Sequence, residues 1–211
     1  VQDKDETHKK RTVGVLLFEG FETLDAMGPI ELFGMHPDSF EVHCIAETRG
    51  AIASTHGHQT VAARSIGDDE FFDIVLVPGG IGTRTQVDNP VLIAWIKQMA
   101  DQTEILASVC TGAALLAQAG VLDGKKATSN KMNFSFVAEL RPQVDWVGRA
   151  RWVEEGDIFT SSGVSAGMDM TLAIISRLLG SKAAEDAALW AEYTWHRDAN
   201  DDPFAASWGL T

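Results

Sequence analysis

The stretch EILASVCTGAALLAQAG, residues 104–120, decides the fold. Its first seven residues form an apolar run of strand character ending in Cys110. The Ala- and Leu-rich segment after it reads as a helix closed by Gly120. One of only two cysteines therefore stands at a strand-to-helix corner. There the unpaired amides of the first helical turn and the positive end of the macrodipole favour a thiolate. Gly112 is expected to permit the sharp turn. The plainer alternative is that Cys110 is a small buried hydrophobe.

Working outward, FDIVLVPGG (72–80) is the clearest buried strand and ends in three residues suited to a close approach by a ligand. The amides after Val77 are then candidates to hold a developing oxyanion together with those at the Cys110 corner. TVGVLLF (12–18) and FEVHCIA (40–46) read as strands, and TLDAMGPIELFG (23–34) and NPVLIAWIKQMA (89–100) as helices. STHGHQTVAA (54–63) reads as a turn leading into a strand. Downstream, KKATS, VDWV and ARWVEEGDIFTSSG give short strands. Helices are expected at 133–140, 165–180 and 182–195. Strands alternating with helices imply an α/β fold with a mostly parallel sheet covered on both faces. Chemistry in such sheets collects at the carboxyl ends of the strands, which puts residues 78–80 and Cys110 on one rim.

The chain has 211 residues, a net charge of −13, 45% hydrophobic and 22% charged residues. That is a globular composition with room for one sizeable core, and its charge argues against nucleic acid as a partner. Cys44 and Cys110 do not make a disulfide framework and are read as free thiols in a reducing, cytoplasmic compartment. Residues 1–11 are expected to form a solvated tail without the apolar core of a signal peptide, and 12–211 a single domain. No apolar stretch is long enough for a membrane span.

DIVLVPGGIG followed by SVCTGAALLAQAGVLDGKKAT resembles the ThiJ/PfpI superfamily, relatives of class I glutamine amidotransferases, over about residues 12–195. The resemblance implies a flavodoxin-like three-layer sandwich, a homodimer and a nucleophile elbow at the cysteine. LLFEGFETLDAMGPIELF is similar to the isocyanide hydratase branch and to the amidotransferase-like domains of some AraC-type regulators. AEYTW with the later DPF is similar to the tail of that branch. On this resemblance Cys110 is the nucleophile, Asp25 the neighbouring acid and Thr111 the hydrogen-bonding neighbour. Gly79, Gly80 and Thr111 line the oxyanion site, and Asn130 belongs to a segment facing the pocket. A small-molecule substrate is implied, and no cofactor.

Two departures set this chain apart from that pattern. Thr111 follows the cysteine where peptidase- and deglycase-type members often carry His. TSNKMNF, with Asn130 and Lys131, stands where hydratase-like relatives show TTHW, which leaves the substrate open. Without the resemblance, Asp25 reads as a helix N-terminal charge. Glu22, one turn earlier, reads as a surface residue. His56 and His58 lack a third metal ligand and read as a surface pair. HRD at 196–198 lacks the context of a kinase loop. Trp190 and Trp195 read as packing residues. A cysteine redox sensor and a ligand-binding module remain the alternatives to an enzyme.

Overall fold

The computed structural model describes residues 10–68 and 71–210. In chain order the elements are β1 (Arg11–Leu16), α1 (Thr23–Gly34), β2 (Phe40–Ala46), β3 (Gly50–Ala53), β4 (Gln59–Ala62), β5 (Arg64–Ser65) and β6 (Ile74–Val77). There follow α2 (Thr83–Gln86), α3 (Pro90–Ala100), β7 (Ile105–Val109), α4 (Gly112–Gln118), β8 (Lys126–Ala127) and α5 (Phe134–Leu140). The last are β9 (Asp145–Trp146), β10 (Trp152–Glu155), β11 (Ile158–Ser161), α6 (Ala166–Leu179) and α7 (Ser181–Trp190).

Seven strands form the central sheet in the order β10-β11-β7-β6-β1-β2-β5. All neighbours are parallel except the β10–β11 hairpin. Every residue of β6 and β7 is buried, as the unbroken apolar runs predict for strands covered on both faces. Helix α1 packs on α6, and α6 on α7; α4 packs on α3 and α5. The result is the expected flavodoxin-like sandwich. Each strand of the β7-β6-β1 centre ends at the same rim, which brings together Cys110 after β7, Gly79–Gly80 after β6 and Asp25 in the first turn of α1 after β1.

Several expectations change in detail. Arg11, assigned to the tail, opens β1 and pairs with Glu104 at 2.6 Å; residues 1–9 of that tail lie outside the described residues. The turn at 54–58 joins a β3–β4 hairpin whose first strand was not foreseen. Helix α7 stops at Trp190 rather than 195, because Glu192 takes a left-handed φ of 48°. Trp190 does not pack: it is 79% exposed.

The chain beyond α7 is strapped to the body by Asp169 of α6, which is fully buried. Asp169 accepts from Arg151 Nε (2.9 Å), Tyr193 Oη (3.0 Å) and the His196 amide (2.9 Å). Trp195 Nε1 donates to its backbone carbonyl. Removing one partner from such a buried ion pair typically costs about 3–5 kcal/mol. The HRD tripeptide is therefore structural: His196 is held by Asp169 and Asp201, and Arg197 by Glu185. Among the described residues no helix is long and apolar enough to cross a membrane.

Candidate active site

The corner after β7 is strained as an elbow should be, but the strain falls on a different residue from the one expected. Cys110 itself adopts φ 60°, a left-handed conformation rare for a residue with a side chain. Its amide is held by the carbonyls of Ser161 (3.2 Å) and Ser162 (3.1 Å). Gly112 does not supply the turn. A Cβ there would lie 2.2 Å from the Val77 carbonyl oxygen, so the glycine lets α4 seat tightly on the end of β6. Gly79 serves a similar close approach, since a Cβ on it would come within 2.6 Å of the Thr111 amide and hydroxyl.

Asp25, in the first turn of α1, meets this corner. Its side chain is fully buried, and Oδ2 accepts from the Gly79 amide at 2.8 Å. Oδ1 is buried without a hydrogen-bond partner of ordinary geometry. Burial pushes the carboxyl up to about 7; the Gly79 amide opposes this, and the charge of Glu22 adds to it. Cys110 is 6% exposed. Burial pushes its thiol up and the charge of Asp25 adds to the rise, against the backbone amides of Thr111 and Val164. The elbow alone therefore does not create the resting thiolate expected from a helix N-terminus. Helix α4 is only seven residues long and its dipole is outweighed by desolvation. Above about pH 7 the pair holds a single proton, on the sulfur, with an ionised Asp25 beside it as the group placed to accept it.

The amides expected to hold an oxyanion are partly committed elsewhere. That of Gly79 is bonded to Asp25, and that of Gly80 donates to Thr111 Oγ1 at 3.1 Å. Thr83 Oγ1 donates to the same hydroxyl oxygen or to the Gly80 carbonyl. The amides that favour the thiolate are those of Thr111 and Val164, and the Val164 amide favours the ionised Asp25 as well. Val164, at a left-handed φ of 50° before α6, was not identified from sequence; no residue type announces a backbone donor.

Over the sulfur lies a cavity of about 190 Å³ whose lining includes Gly80, Thr111 and Asn130 but not Gly79, together with Glu22, Arg84 and Val164. Glu22 is thus a pocket residue and not a surface one. Its carboxylate is held 3.0 Å from Nε2 of the exposed His56, across the β3–β4 hairpin. His58 is engaged by Ser54, and no cluster of metal ligands occurs among the described residues. Lys131 turns away from Cys110: its buried amine donates to Thr128 Oγ1 (2.9 Å) and to the Ala150 carbonyl (2.5 Å). Cys44 is half-buried on β2, and neither thiol is in a disulfide.

Since the Glu22 charge raises Asp25, Glu22→Gln is expected to lower the carboxyl's pKa below about 7. The acid limb of any pH–rate profile governed by Asp25 then moves to lower pH by roughly half a unit to one unit. An unmoved limb would place Glu22 outside the electrostatics of the pair.

The model of the DJ-1/PfpI family matches residues 11–177. Isonitrile hydratase of Pseudomonas putida is 31% identical over 183 residues, covering 86% of this chain and 78% of that protein. The HTH-type transcriptional regulator GbdR of Pseudomonas aeruginosa is 26% identical over 196 residues, covering 90% of this chain. The chain spans about half the length of that regulator, 52%. Among solved structures, a ThiJ/PfpI family protein from Pseudomonas syringae superposes with a TM-score of 0.80 at 25% identity, covering 92% of this chain and 81% of the other.

Proposed function

The chain belongs to the DJ-1/PfpI family, and from that membership we propose that it is a cysteine-dependent enzyme that adds water to isocyanides, giving N-substituted formamides. The observation that carries this reading is the Asp25 carboxyl, buried, raised to about 7 and set against Cys110 under a cavity. The similarity to isonitrile hydratase supports the same chemistry.

The steps follow from the shared proton. Asp25 accepts the Cys110 proton as the sulfur bonds to the terminal isocyanide carbon, which is electrophilic. Asp25 then gives that proton to the same carbon, leaving a thioimidate, R–N=CH–S–Cys110. Water adds to this carbon, with Asp25 relaying a proton from the water to the substrate nitrogen. Collapse of the tetrahedral adduct breaks the C–S bond, releases R–NH–CHO and returns the proton to the sulfur. The Thr111 and Val164 amides stabilise the negative charge that gathers on sulfur. Asp25 is a proton carrier throughout and forms no bond to carbon. No step calls for a cofactor. The two unpaired cysteines fit a cytoplasmic setting.

A second reading, a ligand-binding module, is favoured by the similarity to GbdR over nearly the whole chain. Incubating the purified protein with several small isocyanides and measuring formamide separates the two. Catalytic accumulation that disappears in Cys110→Ser supports the enzyme; stoichiometric binding without product supports the module.

A homodimer, which the resemblance implies, remains part of the proposal. The apolar residues of α6, such as Met170, Leu172 and Ile175, are buried within the chain, leaving Leu189 and Trp190 of α7 as exposed apolar surface.

A further inference from the structure

Beside the cavity over Cys110 lies a second one of about 160 Å³. The two share Asn130, Met132 and Val164 in their linings, and the second adds Lys131, Phe204 and Trp208. We infer that they form one bent site, in which the second chamber receives a flat apolar substituent of the molecule whose reactive carbon meets Cys110. The inference rests on the hydratase reading for the identity of that carbon, and on geometry alone for the chamber.

Three large apolar side chains surround this hollow and are left uncovered by the fold: Met132 is 62% exposed, Phe204 56% and Trp208 52%. Apolar side chains gathered about a concavity beside a reactive group mark a binding surface, whereas single scattered ones do not. The backbone that carries the two aromatic residues is anchored to the body of the fold. The Phe204 amide donates to Asp202 Oδ1 at 2.9 Å, the Asp202 amide to the Arg149 carbonyl at 2.8 Å and the Trp208 amide to the carbonyl of the buried Ala205 at 3.0 Å. The ridge between the chambers is fixed as well: Asn130 Oδ1 accepts from the amide (3.0 Å) and side chain (3.1 Å) of Asn133. Lys131 does not make the chamber a site for anions, because its amine is buried on Thr128 and Ala150. About 150 Å³ of apolar cavity suffices for one benzene ring. An aryl or comparable cyclic substituent is therefore the class of group the chamber takes.

The test compares aryl with methyl reagents in the wild type, Trp208→Ala and Phe204→Ala, by two independent readouts. One is the ratio of kcat/KM for phenyl over methyl isocyanide. The other, which needs no hydratase activity, is the ratio of Cys110 alkylation rates by iodoacetanilide over iodoacetamide. Both ratios are expected to fall about tenfold in each variant, circular dichroism being retained. If no isocyanide is turned over but the alkylation ratio falls, the chamber stands and the hydratase reading fails. If formamide is made and both ratios stay at wild-type values, the chamber is refuted and the hydratase reading survives. A change of particle mass in Trp208→Ala with unchanged ratios also refutes it, and assigns the aromatics to a contact with a second copy of the chain.

Discussion

Asp25→Asn is expected to lower kcat for a small isocyanide by about 10²–10⁴, the usual worth of a placed proton-transfer group. The amide side chain can still accept from the Gly79 N–H, so the fold around it is retained. What is lost is the group that takes up and returns the Cys110 proton. The same substitution has an opposite effect on the bare thiol. The charge of Asp25 raises Cys110, so its removal makes the sulfur easier to ionise. Alkylation of Cys110 above pH 7 should therefore speed up while turnover collapses. A variant slowed equally in both assays would mean that the pocket had been distorted and that no proton shuttle had been removed. Cys110→Ser should lose turnover at least as completely, since a hydroxyl is the weaker nucleophile at neutral pH.

The second large effect is on stability. In the unfolded chain the Asp25 carboxyl titrates near 3.8, and in the fold near 7. Below about pH 3 it is protonated in both states and contributes no pH dependence. Between these values the folded state holds a proton that the unfolded state has released, so stability falls as pH rises. Above about 7 the carboxylate is ionised in both states, and the fold bears the full cost of a buried charge. One pH unit is worth about 1.4 kcal/mol, so the cost approaches on the order of 4 kcal/mol at pH 8. Asp25→Asn removes it. The variant should come within about 1 kcal/mol of the wild type in denaturant unfolding at pH 4 and exceed it by a few kcal/mol at pH 8. Parallel stability curves for the two proteins across this range would show that the carboxyl is not raised in the fold. An acid kept where it destabilises the protein is the signature of a site held for chemistry and not for packing.

The sheet was legible because its central strands are buried on both faces and therefore appear as unbroken apolar runs; β6 and β7 are the clearest cases. The β3–β4 hairpin was half hidden because Gly50–Ala62 alternates small, polar and exposed residues with no sustained period. The overlong α7 came from Tyr193 and Trp195, which keep helical spacing with the helix but turn instead onto Asp169. In the site, Cys110 was legible because a strand-to-helix corner is written in adjacent residues. Its protonation was not, since desolvation depends on what closes over the sulfur. Glu22 escaped for a related reason: its partner His56 comes from a hairpin 34 residues away. Val164 contributes an amide, which every residue but proline possesses, so no sequence signal could have marked it.

The most direct test of the Cys110–Asp25 chemistry is intact-protein mass spectrometry during turnover of a small isocyanide, with formamide followed in the same samples. The mechanism predicts a transient gain of one substrate mass on the peptide containing Cys110, decaying as N-substituted formamide accumulates, and neither signal in Cys110→Ser. A wild-type protein that alkylates readily at Cys110 yet forms neither adduct nor formamide would contradict it.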